Sequence, residues 1–144
     1  YSAAGPYRIA LTVTDAKGLC STSGRPVTVS GPSAPPPCPS ANPQAMDQNC
    51  SRSGLAANAG DYDYLWIYLP AGKVTLRVTT TGGTGNADLY YAADGWATKA
   101  HHSAQSIGAG NEQSITVTNK TAGYRYISLY AAQSFSGVTV STQY

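Results

Sequence analysis

The sequence predicts an all-β protein, an antiparallel β-sandwich of jelly-roll type preceded by a short β-hairpin fragment and a Pro-rich linker. Three observations carry this reading. Apolar residues alternate with polar or aromatic ones in several short runs, as half-buried strands require. Turns bearing Gly or Pro separate those runs. No segment repeats its apolar residues at the spacing of a helix.

Taken in order, the first strand runs from Tyr7 to Thr14, where Tyr7, Ile9, Leu11 and Val13 alternate with polar residues or Ala. Asp15, Ala16, Lys17 and Gly18 make a turn. A second strand follows over about Arg25 to Ser30, carrying Val27 and Val29. Two strands alone are marginal in water, so residues 1–31 are expected to lean on other chain, and pairing of two copies through this hairpin is one expectation. Residues 32–47, PSAPPPCPSANPQAMD, read as a stiff extended linker. Asn42 to Asp47 is the exception, suited to one helical turn with Pro43 at its first position.

Residues 48–144 form the sandwich. Its strands are expected at Tyr62–Leu69, Val74–Thr80, Asp88–Ala92, Ser114–Thr118, Tyr124–Ala131 and Gly137–Thr142, with the Gly-rich stretch from Gly82 to Asn86 as a hairpin turn. Alternation assigns an inner set led by Leu65, Ile67, Leu69, Leu76, Val78, Leu89, Ile127 and Leu129. The outer set is Tyr64, Trp66, Tyr68, Arg77, Tyr90, Tyr126, Ser128 and Tyr130. The aliphatic residues suffice for one core, so the aromatic row is left for a contact surface, with Trp66 equally suited to packing beneath a loop.

Composition narrows the function. Charged residues are 11% of the chain and the net charge is +2, which disfavours nucleic acid. No apolar run approaches a membrane span. The chain holds eleven Tyr and three Cys. A Cys38–Cys50 disulfide would close a loop of about a dozen residues and stabilise by roughly 3 kcal/mol, leaving Cys20 either free or paired with a cysteine upstream of this sequence. Disulfides imply an exported, extracellular protein, and the chain is expected to be a C-terminal piece of a larger one. No catalytic constellation is found. His101 and His102 are adjacent and point apart on a strand, and neither HExxH nor GxSxG occurs. Asp61 and Asp63, with Asp47 and nearby Asn42 and Asn58, offer oxygen ligands for calcium, or they cap a turn and solvate a strand end. Asn49 and Asn119 each begin an N-x-Ser/Thr pattern.

Two family resemblances rest on longer patterns. YSAAGPYRIALTVTDAKG resembles the last third of a PKD domain, through Tyr1, Gly5, Tyr7, Leu11, Val13, Asp15 and Gly18, with Ile9 at a Val position. AGDYDYLWIYLPAGKVTLRVTTTGGTGNADLYY and AGYRYISLYA resemble a bacterial pre-peptidase C-terminal (PPC) domain. A PKD domain followed by a PPC domain resembles the C-terminal region of secreted bacterial collagenases, zinc metalloproteases whose zinc lies in a separate catalytic domain. The resemblance implies a non-catalytic module that binds collagen or a similar insoluble protein. Its contact residues would be Tyr126, Ser128 and Tyr130, with Tyr90 and Trp96 beside them and the Tyr64–Trp66 row on the same kind of face. It implies calcium near Asp61 and Asp63, although here the Cys-bracketed segment stands in place of the acidic linker motif and a disulfide would take over the clamping. The same family also implies a rival role, as a structural or secretion-related extension that is removed or inert after maturation.

Overall fold

The computed structural model describes residues 5–29 and 34–144, in two compact units that divide between Ala34 and Pro35. Tyr1 of the PKD-like pattern, Ser30 at the end of the expected second strand, and Pro32 and Ser33 of the linker lie outside the described residues.

The first unit is a hairpin of β1 (Gly5–Thr14) and β2 (Cys20–Val29), paired antiparallel from Gly5 opposite Val29 to Thr14 opposite Cys20. The turn forms where expected. One carboxylate oxygen of Asp15 accepts the Lys17 and Leu19 N–H groups at 2.8 and 2.9 Å, an Asx-type closure. Gly18 completes the turn at φ +82°, a conformation that a Cβ disfavours. Leu11, Val13 and Leu19 are exposed.

The second unit is a two-layer sandwich built from β3 (Ala45–Met46), β4 (Cys50–Ala57), β5 (Tyr62–Leu69), β6 (Val74–Thr81), β7 (Thr84–Ala92), β8 (Ala104–Ser106), β9 (Gln113–Asn119) and β10 (Gly123–Gln143). The front layer runs β3-β5-β10-β7-β8, and the rear layer runs β4-β10-β6-β9. The 21-residue β10 belongs to both layers. Its first part, Gly123–Tyr130, lies between β5 and β7. Its last part, Val138–Gln143, lies between β4 and β6. Register shifts around Gln133, Ser136 and Val138, with Gly137 at φ +74°, turn the strand from one layer into the other. The two strands expected at Tyr124–Ala131 and Gly137–Thr142 are therefore one.

Two other expectations are corrected. The segment Gly82–Asn86 is not a hairpin turn, because β6 pairs in the rear layer and β7 in the front. Its glycines serve a different need. A Cβ on Gly83 or Gly85 would fall 2.4 or 2.0 Å from the carbonyl oxygens of Ser136 and Ser134, so the crossing chain packs against the bend of β10 only without side chains. Asn111 pins this crossing: its amide donates to the Gly82 and Thr84 carbonyls, and its oxygen accepts the Ala87 N–H at 2.9 Å. Second, Asn42–Asp47 forms no helical turn. Ala45 and Met46 instead extend the front layer in parallel with β5, and the Trp66 N–H donates to the Gln44 carbonyl at 2.9 Å. This covers the edge of β5, which would otherwise expose unpaired backbone groups.

The core lies between the layers and consists of the expected aliphatic set. Leu65, Ile67, Leu69, Leu76, Val78, Leu89, Ile127, Leu129, Val138 and Val140 are all essentially inaccessible, and Val74 and Val117 pack at the margin. One end is closed by polar groups. The Asn119 side-chain oxygen accepts the Tyr91 hydroxyl at 2.7 Å and Arg125 Nε at 2.8 Å, and the other two guanidinium nitrogens donate to the Tyr124 and Thr121 carbonyls. Asn119 is thus a buried structural residue, not an exposed acceptor for a glycan.

Cys38 and Cys50 form a disulfide with a Cα–Cα distance of 4.8 Å, and Cys20 is free and exposed. The bridge fastens the segment from Pro35 to Met46 onto β4, helped by Arg52, whose guanidinium donates to the Ala45 and Ser40 carbonyls at 2.7 and 2.8 Å. Opening the bridge by Cys38→Ala with Cys50→Ala is expected to cost about 3 kcal/mol and to lower the melting temperature by roughly 10 °C. Thermal unfolding by circular dichroism checks this, and an unchanged melting temperature would contradict it.

Candidate functional site: an aromatic face on the front layer

The candidate site is the outward face of β5, β10 and β7. Antiparallel register sets its side chains in rows. Tyr62, Tyr130 and Asp88 form the first row, Tyr64, Ser128 and Tyr90 the second, Trp66, Tyr126 and Ala92 the third, and Tyr68 and Tyr124 the fourth. The rings meet in a nearly continuous series. Tyr62 stacks on Tyr64 at 5.4 Å and tilts against Tyr130 at 5.0 Å. Trp66 and Tyr68 each meet Tyr124 edge-on at 5.3 Å.

The second and third rows contain a gap, because Ser128 and Ala92 are small. The loop after β7 fills it. Ala97 is fully buried there, and the Ser128 hydroxyl donates to its carbonyl at 2.6 Å. This anchor places Trp96 between Tyr64 and Tyr126, with centroid distances of 5.2 and 5.1 Å and edge-on geometry to both. Other contacts hold the loop. The Lys99 N–H donates to the Tyr62 hydroxyl at 3.1 Å, His101 Nε2 lies 3.1 Å from an Asp94 carboxylate oxygen, and His102 meets the Tyr90 ring edge-on. Trp66, Trp96, Tyr124 and Tyr126 consequently line a shallow open slot. Its walls are perpendicular rings, with Trp96 and Tyr124 about half exposed and Tyr68 beside them.

The residues singled out from sequence fall into two groups. Tyr64, Trp66, Trp96, Tyr126 and Tyr130 are brought together on this face and are at least partly accessible. Tyr90 and Ser128 are at 1% and 0% exposure, so they support the face from beneath. Tyr90 points outward as alternation requires, but the loop carrying Ala97 covers it. Tyr62, Tyr68 and Tyr124 complete the face. Tyr68 was visible from alternation, and Tyr124 follows from its place two residues before Tyr126.

Among the described residues, no three His, Cys, Asp or Glu side chains converge as a metal site, so Asp61, Asp63 and Asp47 do not form a shared cluster. Asp61 is exposed at a turn. Asp47 lies near the far end of β10, where its carbonyl accepts the Thr142 hydroxyl. Asp63 is half-buried, and burial raises its carboxyl above the ordinary value against hydrogen bonds from the Ala56 and Tyr64 backbone.

The comparisons with known proteins point to one group. Residues 61–131 match the model of the bacterial pre-peptidase C-terminal domain. A microbial collagenase of Vibrio alginolyticus is 28% identical over 137 residues, covering 88% of this chain and 16% of the collagenase. An extracellular protease of Xanthomonas campestris is 39% identical over 92 residues, covering 64% of this chain and 16% of the protease. The chain thus spans about a sixth of the length of these curated relatives. Among solved structures, the solution structure of vEP C-ter 100 superposes with a TM-score of 0.56 at 27% identity, covering 70% of this chain and 99% of that one. The pre-peptidase C-terminal domain of the Bacillus anthracis collagenase shares the fold, with a TM-score of 0.53 at 14% identity over 69% of this chain and 93% of that one.

Because Ser128 fixes the loop, Ser128→Ala is expected to leave the Ala97 carbonyl unpaired at a cost of about 1–2 kcal/mol and to shift tryptophan emission as Trp96 loosens. Unchanged emission and stability would contradict this role. Residues 61–131 of the sandwich are thus similar to the bacterial pre-peptidase C-terminal domain, and the sandwich shares its fold with that domain of the Bacillus anthracis collagenase.

Proposed function

We propose that the sandwich is a substrate-targeting module of a secreted bacterial protease and holds collagen or a similar insoluble protein on its aromatic face. One observation carries this reading: the slot lined by Trp66, Trp96, Tyr124 and Tyr126, continued by Tyr68, Tyr64 and Tyr130. The aliphatic core is complete without these rings, so folding alone does not account for them. Collagen is an extended, Pro-rich rod with a regular apolar surface. Aromatic-lined grooves suit such rods, because pyrrolidine rings pack against ring faces and edges with little loss of conformational freedom. The chain's low charge fits a contact of this kind, which needs no electrostatic steering.

The relatives support the reading as far as their names go, since two of them are microbial collagenases and a third is an extracellular protease. Weak binding by one module becomes useful when it is tethered to a catalytic domain, because the tether raises the local concentration of substrate. On the same reading, the hairpin of β1 and β2 is the end of a PKD-type domain ahead of the sandwich.

Retention of the chain on insoluble collagen tests the proposal. The parent is expected to bind, and Trp96→Ala and Tyr126→Ala each to weaken binding by about tenfold or more, the scale of aromatic hot spots. Arg77→Ala, on the exposed side of the rear layer, is expected to have no effect. A parent chain that is not retained would overturn the proposal in favour of a structural or secretion-related extension.

A further inference from the structure

Beyond the slot, the face has a corner of different chemistry. Tyr130 lies between Tyr62 and Asp88 in the first cross-strand row. The Tyr62 and Tyr130 rings are 5.0 Å apart and tilted by 52°, so they form two walls of an open angle. The Lys99 ammonium sits over the Tyr130 ring, 4.5 Å from its centroid. Asp88 is 6% exposed, and one of its carboxylate oxygens is buried with no hydrogen-bond partner. Among the described residues the one ion pair within 4.0 Å joins His101 and Asp94, so Lys99 holds the cation position without pairing directly with Asp88.

These features define what the corner attracts. A tyrosine ring presents negative charge on its face and draws cations. A carboxylate beside it in the same row adds an attractive field, felt more strongly where burial excludes water. Burial holds the Asp88 carboxyl above its ordinary value, while a hydrogen bond from the Gly108 backbone and then the Lys99 charge draw it towards ionisation. Yet Lys99 is exposed and reaches the corner from a surface loop, so a cation brought by a ligand can displace it.

We infer that the corner of Tyr62, Tyr130 and Asp88 is a cation subsite, occupied at rest by this chain's own Lys99, which takes a lysine ammonium or arginine guanidinium of the bound protein. The inference rests on the reading of the face as a protein-binding surface and adds a chemical preference to it. The slot accepts rings and apolar surface, and the corner at the far end of the face accepts a positive side chain. Together they favour extended segments in which a basic residue flanks an apolar, Pro-rich stretch. Lys99 acts as a built-in competitor, which lowers the affinity for stray cations.

Tetramethylammonium, a cation with no hydrogen bonds to donate, is a suitable probe for the full chain with its tyrosine rings labelled for NMR. Titration is expected to shift the Tyr62 and Tyr130 signals, and Lys99→Met, which removes the resident cation from the corner, to tighten binding by about three- to tenfold. Tyr130→Leu is expected to abolish the response in the Lys99→Met background. Absence of ring shifts, or equal affinity in parent and Lys99→Met, would overturn the subsite. Retention on insoluble collagen, measured on the same samples, separates the two readings. Retention without ring shifts leaves the aromatic face as the binding surface and removes the corner, whereas loss of both overturns both.

Discussion

The structure depends on β10 belonging to both layers. Residues Tyr126–Tyr130 are paired on both sides in the front layer, between β5 and β7, and Val140–Thr142 on both sides in the rear, between β4 and β6. One strand therefore contributes Ile127 and Leu129 to the core from the front and Val138 and Val140 from the rear. A centrally paired strand has little freedom to slip, because a one-residue shift would exchange every buried side chain for an exposed one. The same constraint fixes the opposite face. With Ile127 and Leu129 inward, Tyr124, Tyr126 and Tyr130 must point out, each opposite a fixed partner on β5. The aromatic face is the external consequence of how the core is packed.

A rigid scaffold of this kind suits a surface whose work is contact. Side chains on central strands hold their positions better than those on loops. The exception is Trp96, which comes from a loop, and it is there that the structure spends polar groups. The bond from Ser128 to the Ala97 carbonyl, that from Lys99 to Tyr62, and the Asp94–His101 pair all hold a few residues on the sheet. Ser128 is small and polar where its neighbours Tyr126 and Tyr130 are large. That choice opens the gap for Ala97 and supplies the donor that keeps it there.

Much of this was legible in the sequence, for a physical reason. In DYDYLWIYLP the period of two is unbroken, so Leu65, Ile67 and Leu69 separate from Tyr64, Trp66 and Tyr68 whatever the tertiary partners are. The same holds for YRYISLY on β10. Strand β4 was not legible, because SRSGLAA offers one large apolar residue and its pairing is set by the distant end of β10. The layer change at Gly82–Gly83 looked like a hairpin, since glycine marks both a tight turn and a close backbone approach. The burial of Tyr90 depends on a loop docking over it, and no local pattern records that. The segment Asn42–Asp47 carried a helix-start signal at Pro43, but the edge of β5 and the disulfide drew it into the sheet.

The central claim is that ligand contacts fall on the front layer, on the rings fixed by β5 and β10 and by Trp96. Hydroxyl-radical footprinting of the chain bound to insoluble collagen, read out by mass spectrometry at the aromatic residues, addresses it directly. The account predicts that oxidation of Trp66, Tyr68, Trp96 and Tyr124 falls on binding while exposed residues of β6 and β9 are unaffected. Oxidation of those four rings that is the same with and without collagen, or protection confined to the rear layer, would contradict it.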